Sequence, residues 1–227
     1  MLRLSDEIKI KDINNRYVKL CRNVMWLIKR NHETVLCNPI SNSELDIIYE
    51  RNYMLTFAYL MGQKSGEIKS TYEFLSQKLV NGEVNKYIFL NPNDEAYESR
   101  NNLKPGREYF CPDFLIHSSH DNSGEDYEGQ YMIMEAKTTS KLKQEDFDWD
   151  LFKLNLYVEK LNFDTAIFLI INTPHTEIAT MVSNYNHWHS KKLDPTEQNV
   201  HNNVVPHIFF LIQENVKGQP KIYELLV

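Results

Sequence analysis

Cysteine, glycine and proline are all scarce in this chain, and no long stretch of it is continuously apolar. The three cysteines among 227 residues, Cys21, Cys37 and Cys111, are an odd number without metal-ligand spacing. They predict free thiols in a reducing cytoplasm. Seven glycines and eight prolines exclude collagen-like and low-complexity character. A run of about 18 apolar residues, which a membrane helix needs, is missing. The opening MLRLSDEIKIKD mixes acids with bases where a secretory leader carries an apolar stretch. Neither a membrane span nor a leader is therefore expected. A glycine-rich phosphate loop is absent as well, which argues against ATP-driven activity in this chain. Positive charge is also in deficit, with a formal net charge of −6. Proteins that hold nucleic acid by charge alone are usually basic, because neutralising phosphates releases counterions. Contact with nucleic acid would need a local basic patch or a basic partner here, and carboxylates gathered around a divalent ion would themselves lower the total.

What is present suits a globular α/β protein. Hydrophobic residues make up 42% and charged residues 25%, enough for one substantial domain with decorations. Val18, Cys21, Met25 and Ile28 recur at helical spacing and predict a helix within 12–30. A second, largely apolar and buried helix is expected from the cap-like Ser43 through ELDIIYERNYMLTFAYLM. A third is expected after Gly66, with Ile68, Tyr72, Leu75 and Leu79 in one stripe. The pattern then changes to strands at 86–90, 108–117 and 130–137, the last two joined by a polar hairpin connection. A helix over 147–161 follows, with Phe147, Leu151, Leu154, Val158 and Leu161 on its buried face. Residues 165–172 (TAIFLIIN) read as a buried strand, parallel to a neighbour because a helix precedes it. HIFFLIQ at 207–213 is one more strand candidate.

The chemistry concentrates in Pro112-Asp113 on one expected strand and Glu135-Ala136-Lys137 at the end of the next. Strand side chains alternate, so Tyr131, Ile133, Glu135 and Lys137 should share a face. Hairpin pairing of the two strands would bring Asp113 beside Glu135. Two carboxylates with the Ala136 carbonyl between them suit a hard divalent ion with oxygen ligands. Such an ion binds a phosphate oxygen and lowers the pKa of an attacking water. A lysine one step beyond the acid can position or deprotonate that water, or neutralise developing charge. Burying Glu and Lys at the end of an apolar strand without such a use would be costly.

The motif Pro112-Asp113 … Glu135-x-Lys137, on consecutive strands and followed by a helix, resembles that of the PD-(D/E)XK nucleases. The resemblance covers roughly residues 66–172. It implies a restriction-endonuclease-like αβββαβ core, a mixed sheet flanked by helices. Residues 1–65 become a helical N-terminal extension, and residues 173–227 a C-terminal extension packed on the core. It implies Mg²⁺-dependent hydrolysis of DNA, preferably duplex, with Mn²⁺ able to substitute. Asp113, Glu135 and the Ala136 carbonyl would hold the metal and Lys137 would assist the water. Members often place a further acid on the helix before the first strand; Glu73 is the candidate here, with Glu67 second and a solvated helix position as the alternative. The RecB-like branch offers a polar residue and a tyrosine four apart on the following helix. This chain has Lys153 and Tyr157 at that spacing where a glutamine is usual, and both lie off the apolar stripe, so a surface placement is equally open. A narrower resemblance joins STYEFL, GREYFCPDFLI and MEAKTTSK to the TnsA endonuclease subunit of heteromeric transposases.

The expected setting is restriction or phage defence. The alternatives are a TnsA-like subunit that cuts transposon ends beside a partner transposase, a non-catalytic DNA-binding assembly subunit, and an RNA endonuclease. One site cuts one strand, so duplex cleavage implies a homodimer or a second nuclease subunit. Thr138, Thr139, Lys141 and Lys143 follow the catalytic strand and are candidate phosphate contacts, with Arg100, Lys104 and Arg107 as weaker ones. His175, His187, His189, His201 and His207 lack the paired spacing of a zinc site and read as surface histidines. The acids at 125–128 and 145–150 are assigned to a hairpin tip and a helix N-terminus, where negative charge is favourable.

Overall fold

The computed structural model describes residues 2–30, 50–65, 70–72, 112–117, 130–185 and 207–227. Their elements in chain order are β1 (Arg3–Leu4), a short 3-10 turn (Ile10–Asp12), α1 (Arg16–Arg30), α2 (Glu50–Ser65), β2 (Ser70–Tyr72) and β3 (Phe114–His117). These are followed by β4 (Gln130–Lys137), α3 (Gln144–Leu161), β5 (Ala166–Ile171), α4 (His175–Ser183), β6 (Ile208–Gln213) and β7 (Lys221–Leu226).

The strands form one mixed sheet in the order β1-β7-β6-β5-β4-β3-β2. Pairing is parallel across β4-β5-β6 and antiparallel elsewhere. The parallel β4-β5 step follows from the helix between them, since a parallel neighbour is reached only by a crossover. Alternation then sorts the side chains into two apolar layers. Phe168, Ile170, Phe210 and Ile212 pack with Phe147, Leu151 and Leu154 of α3 and with Ile178 and Val182 of α4. Ile167, Leu169, Met134 and Ala136 pack on the opposite face with Val18, Cys21 and Met25 of α1 and with Tyr53, Met54 and Phe57 of α2. The sheet is thus covered on both faces, which is why β5 is apolar at every position.

Helix α1 starts where Asn15 can cap it. The Asn15 carboxamide oxygen accepts the backbone N–H groups of Tyr17 at 3.0 Å and Val18 at 3.2 Å, and its Nδ2 donates to Thr165 Oγ1 at 2.6 Å. The same side chain therefore finishes the helix and ties it to the start of β5. Asn15→Ala is expected to lower stability by about 1–2 kcal/mol, measured by chemical denaturation, with no change in fold by circular dichroism.

Several expectations need correction. Residues 70–72 are strand rather than helix: their backbone pairs antiparallel with β3, Ser70 opposite Ile116 and Tyr72 opposite Phe114. Tertiary pairing overrides the helical spacing of Ile68 and Tyr72. Helix α2 buries Tyr53, Met54, Phe57 and Met61 but leaves Leu55 and Tyr59 exposed, so only one of its faces is in the core. Tyr131 does not share a face with Glu135. A register irregularity leaves it unmatched between the pairs Ile116–Met132 and His117–Gln130, as at a β-bulge. Its ring turns to the α1 side and stacks on Tyr17 at 5.8 Å between centroids. The expected strand at 86–90 lies outside the described residues. The sheet itself draws strands from all three of the spans 1–65, 66–172 and 173–227.

Candidate active site

The site forms where β4 reaches its carboxyl end. Phe114 opposite Met134 and Leu115 opposite Ile133 set the register. Continued by one residue, that register sets Asp113 across from Glu135. The Asp113 N–H donates to the Met134 carbonyl at 3.1 Å, and its Oδ2 accepts the Ala136 N–H at 2.7 Å. The carboxylate is thus fixed against β4 by the backbone of the very residue between Glu135 and Lys137. Glu135 and Lys137, two apart on the strand, both point at α3.

Helix α3 answers them with three side chains at helical spacing, Asp150, Lys153 and Tyr157. Lys153 Nζ lies 2.6 Å from Glu135 Oε2 and 3.0 Å from Asp150 Oδ1. Lys137 Nζ lies 2.7 Å from Asp150 Oδ2, and the Tyr157 hydroxyl donates to Glu135 Oε1 at 3.4 Å. Five charged groups therefore form one network at the carboxyl end of β4, three carboxylates against two ammonium groups. The side chains of Glu135 and Asp150 are 2% and 3% exposed, while that of Lys137 is 23% exposed. Of the four ion-paired side chains, that of Lys137 is the most exposed.

Burial and pairing set the charge states. Burial pushes Glu135 well above the ordinary carboxylate range; Lys153 opposes the rise, and the neighbouring Asp113 and Asp150 add to it. Burial raises Asp113 as well, against the pull of Lys153, Lys137 and the Ala136 N–H. Burial also works against the Asp150 carboxylate, but Lys153 and Lys137 together outweigh it and hold Asp150 below its usual value. For the two lysines burial disfavours the charge, yet Asp150 and its acidic neighbours reverse this and shift both upward, so both stay protonated. Glu50, the first residue of α2, is one of the groups that favour the Lys137 charge.

The motif residues Asp113, Glu135 and Lys137 are thus brought together, and Lys153 and Tyr157 join them. The surface alternative for those last two is excluded: Lys153 is 8% exposed and Tyr157 fully buried. Thr138 is buried. Thr139, Lys141 and Lys143 are exposed just beyond β4, and Thr139 uses its hydroxyl to accept the Lys141 N–H at 3.1 Å. Glu73, Glu67, Arg100, Lys104, Arg107, His187, His189 and His201 lie outside the described residues, as does the acidic group 125–128. His175 is not a plain surface histidine, since its ring stacks on Tyr223 at 4.5 Å.

Asp150 is the residue the sequence reading missed. Glu145 and Asp146 do occupy the first turn of α3, but Asp148 and Asp150 are buried and do not serve the helix terminus as surface charges. The signal was present in the spacing: Asp150, Lys153 and Tyr157 stand at i, i+3 and i+7, one face of a helix.

Asp113 and Glu135 are hard oxygen donors side by side, Glu135 buried and Asp113 partly exposed, and the network carries one more carboxylate than ammonium. Among the described residues there is no group of three or more His, Cys, Asp or Glu side chains arranged to hold an ion. Two carboxylates are within the number that Mg²⁺ takes from protein while keeping several waters. Also among the described residues, no helix is long and apolar enough to cross a membrane. Comparison with protein-family models, with curated proteins and with solved structures finds no significant match to this chain.

Proposed function

We propose that this protein is a metal-dependent nuclease of the PD-(D/E)XK type, with a restriction-endonuclease-like core, that hydrolyses DNA phosphodiester bonds. The observation that carries the reading is the juxtaposition of Asp113, Glu135 and Lys137 at the carboxyl end of β4, which is where open α/β sheets bind ligands. The described elements from α2 to β5 follow the order αβββαβ, in keeping with that core. A Mg²⁺ held by Asp113, Glu135 and the Ala136 carbonyl would supply Lewis acidity to a phosphate oxygen and acidify a water.

The chain's own groups do the rest. Asp113 is oriented by the Ala136 N–H and Glu135 by Tyr157 and Lys153. Lys137, protonated and anchored by Asp150, stands where it can orient the attacking water and neutralise charge that builds on the phosphate as the P–O bond to the leaving strand breaks. The exposed Lys141 and Lys143 supply a local basic patch for the DNA backbone in an otherwise acidic chain. Restriction or phage defence is the favoured setting, with a TnsA-like role beside a transposase, or a non-catalytic DNA-binding role, as the alternative.

Matched DNA and RNA duplexes incubated with Mg²⁺ test the substrate class. Cleavage of DNA at a rate at least about a hundredfold above RNA is expected, a difference of ~2.7 kcal/mol in barrier. Faster cutting of RNA would replace this reading with an RNA endonuclease.

A further inference from the structure

We propose that the Lys153 ammonium is a resident cation that occupies Glu135 when no metal is bound, and that a divalent ion takes this carboxylate only by displacing Lys153 towards Asp150. This builds on the metal-dependent reading above. Lys153 Nζ is 2.6 Å from Glu135 Oε2, and the Tyr157 hydroxyl donates to the other oxygen, Oε1. Both oxygens of the carboxylate thus already have partners, one of them a full positive charge. A divalent ion and an ammonium cannot share one buried carboxylate oxygen without strong repulsion.

Lys153 also has somewhere to go. Its ammonium lies 3.0 Å from Asp150 Oδ1, one helical turn earlier on the same helix. On leaving Glu135 it keeps this second partner, so displacement loses one ion pair without stranding a buried charge. The small donor set makes the competition count. With two carboxylates as the proposed donors, one nearby ammonium is a large share of the charge the ion meets. Lys153 therefore sets the divalent-ion concentration at which the site fills, and Asp150 is the residue that receives the displaced lysine.

The test is direct Mn²⁺ binding to the full chain, read from the electron paramagnetic resonance signal of free Mn²⁺, with Asp113→Ala to identify this site. Lys153→Gln is expected to bind Mn²⁺ at least about tenfold more tightly than wild type, because like charge is removed from the ligand itself. Lys153→Met, which keeps the length without the charge, should do the same and serves if the glutamine variant does not fold. Lys137→Gln removes the same charge from a lysine paired with Asp150 instead, and is expected to change affinity several-fold less. Binding by Lys153→Gln and Lys153→Met no tighter than wild type, with Asp113→Ala still abolishing it, overturns the resident cation and leaves the metal reading intact. Equal tightening in Lys137→Gln also overturns it, since general charge would then account for the effect. Absence of Mn²⁺ binding from the wild type and every folded variant overturns both.

Discussion

Lys137→Ala is expected to slow Mg²⁺-dependent DNA cleavage by roughly a hundred- to ten-thousand-fold, the usual contribution of one positioned proton-transfer or charge-stabilising group. The loss should fall on kcat more than on KM, because Lys137 is assigned to the reacting water and phosphate rather than to the length of the duplex. The fold should survive the change. At 23% exposure the Lys137 side chain is the most solvent-accessible of the paired groups, and Asp150 keeps Lys153 as a partner at 3.0 Å when Lys137 is gone. Single-turnover cleavage beside a thermal melt separates the two effects. A variant that melts like wild type and cuts like wild type would remove Lys137 from the chemistry.

The second large effect is on stability. Asp150→Ala is expected to destabilise the metal-free protein by about 3–5 kcal/mol at pH 7, the usual cost of removing one partner from a buried ion pair. Asp150 is the hub of the network: it holds Lys137 at 2.7 Å and Lys153 at 3.0 Å. Its removal takes away the one carboxylate that both ammonium groups pair with. Such networks are weak evidence of net stability when whole, yet expensive to break by halves. The pH dependence carries the sign. Lys153 and Lys137 hold the folded Asp150 below its usual value, against an unfolded carboxylate at about 3.9. Its contribution is therefore present in full above that pH and is lost as the pH falls through the lower folded value. The gap between wild type and Asp150→Ala should be widest near neutrality and should close in strong acid. Denaturation of both proteins at neutral and acid pH checks this, and a gap that stays constant would show that the loss comes from packing instead of charge.

Most of the sheet was legible because its signals are local. TAIFLIIN and HIFFLIQ are short continuous apolar runs rich in β-branched and aromatic residues, the pattern of a central strand covered on both faces. QYMIMEAK ends in two charges, and that break in an apolar strand marked the site. The failures lie where tertiary contacts decide. Ser70–Tyr72 carries helical spacing but is claimed by β3 as an edge strand. Lys221–Leu226 is short and mixed, and is a strand because β6 and β1 flank it. His175–Ser183 has nine residues, too few for periodicity to stand out. Tyr131 follows strand alternation only until the bulge beside it is known.

At the site, the sequence supplied the three groups of the motif because they are unusual in an apolar strand. It left Lys153 and Tyr157 undecided, since a charged residue off the apolar stripe of a helix reads as solvated. What buries Lys153 is the pairing with Glu135 and Asp150, a fact of two elements meeting. Asp150 was hidden by company: in QEDFDWD it is the fourth acid of a run whose first members do belong to the helix N-terminus.

Conversion of supercoiled plasmid by the wild-type chain, in Mg²⁺ and in EDTA, beside Asp113→Ala in Mg²⁺, shows whether Asp113 and a divalent ion together cut DNA. Asp113 is the group to remove because its carboxylate meets Glu135 only through the strand register, so the experiment probes the juxtaposition itself. Nicked or linear product is expected from the wild type in Mg²⁺ alone, with none in EDTA and none from Asp113→Ala. Cutting that persists in EDTA or in Asp113→Ala, or a wild type that leaves plasmid intact in Mg²⁺, would contradict the proposed nuclease site.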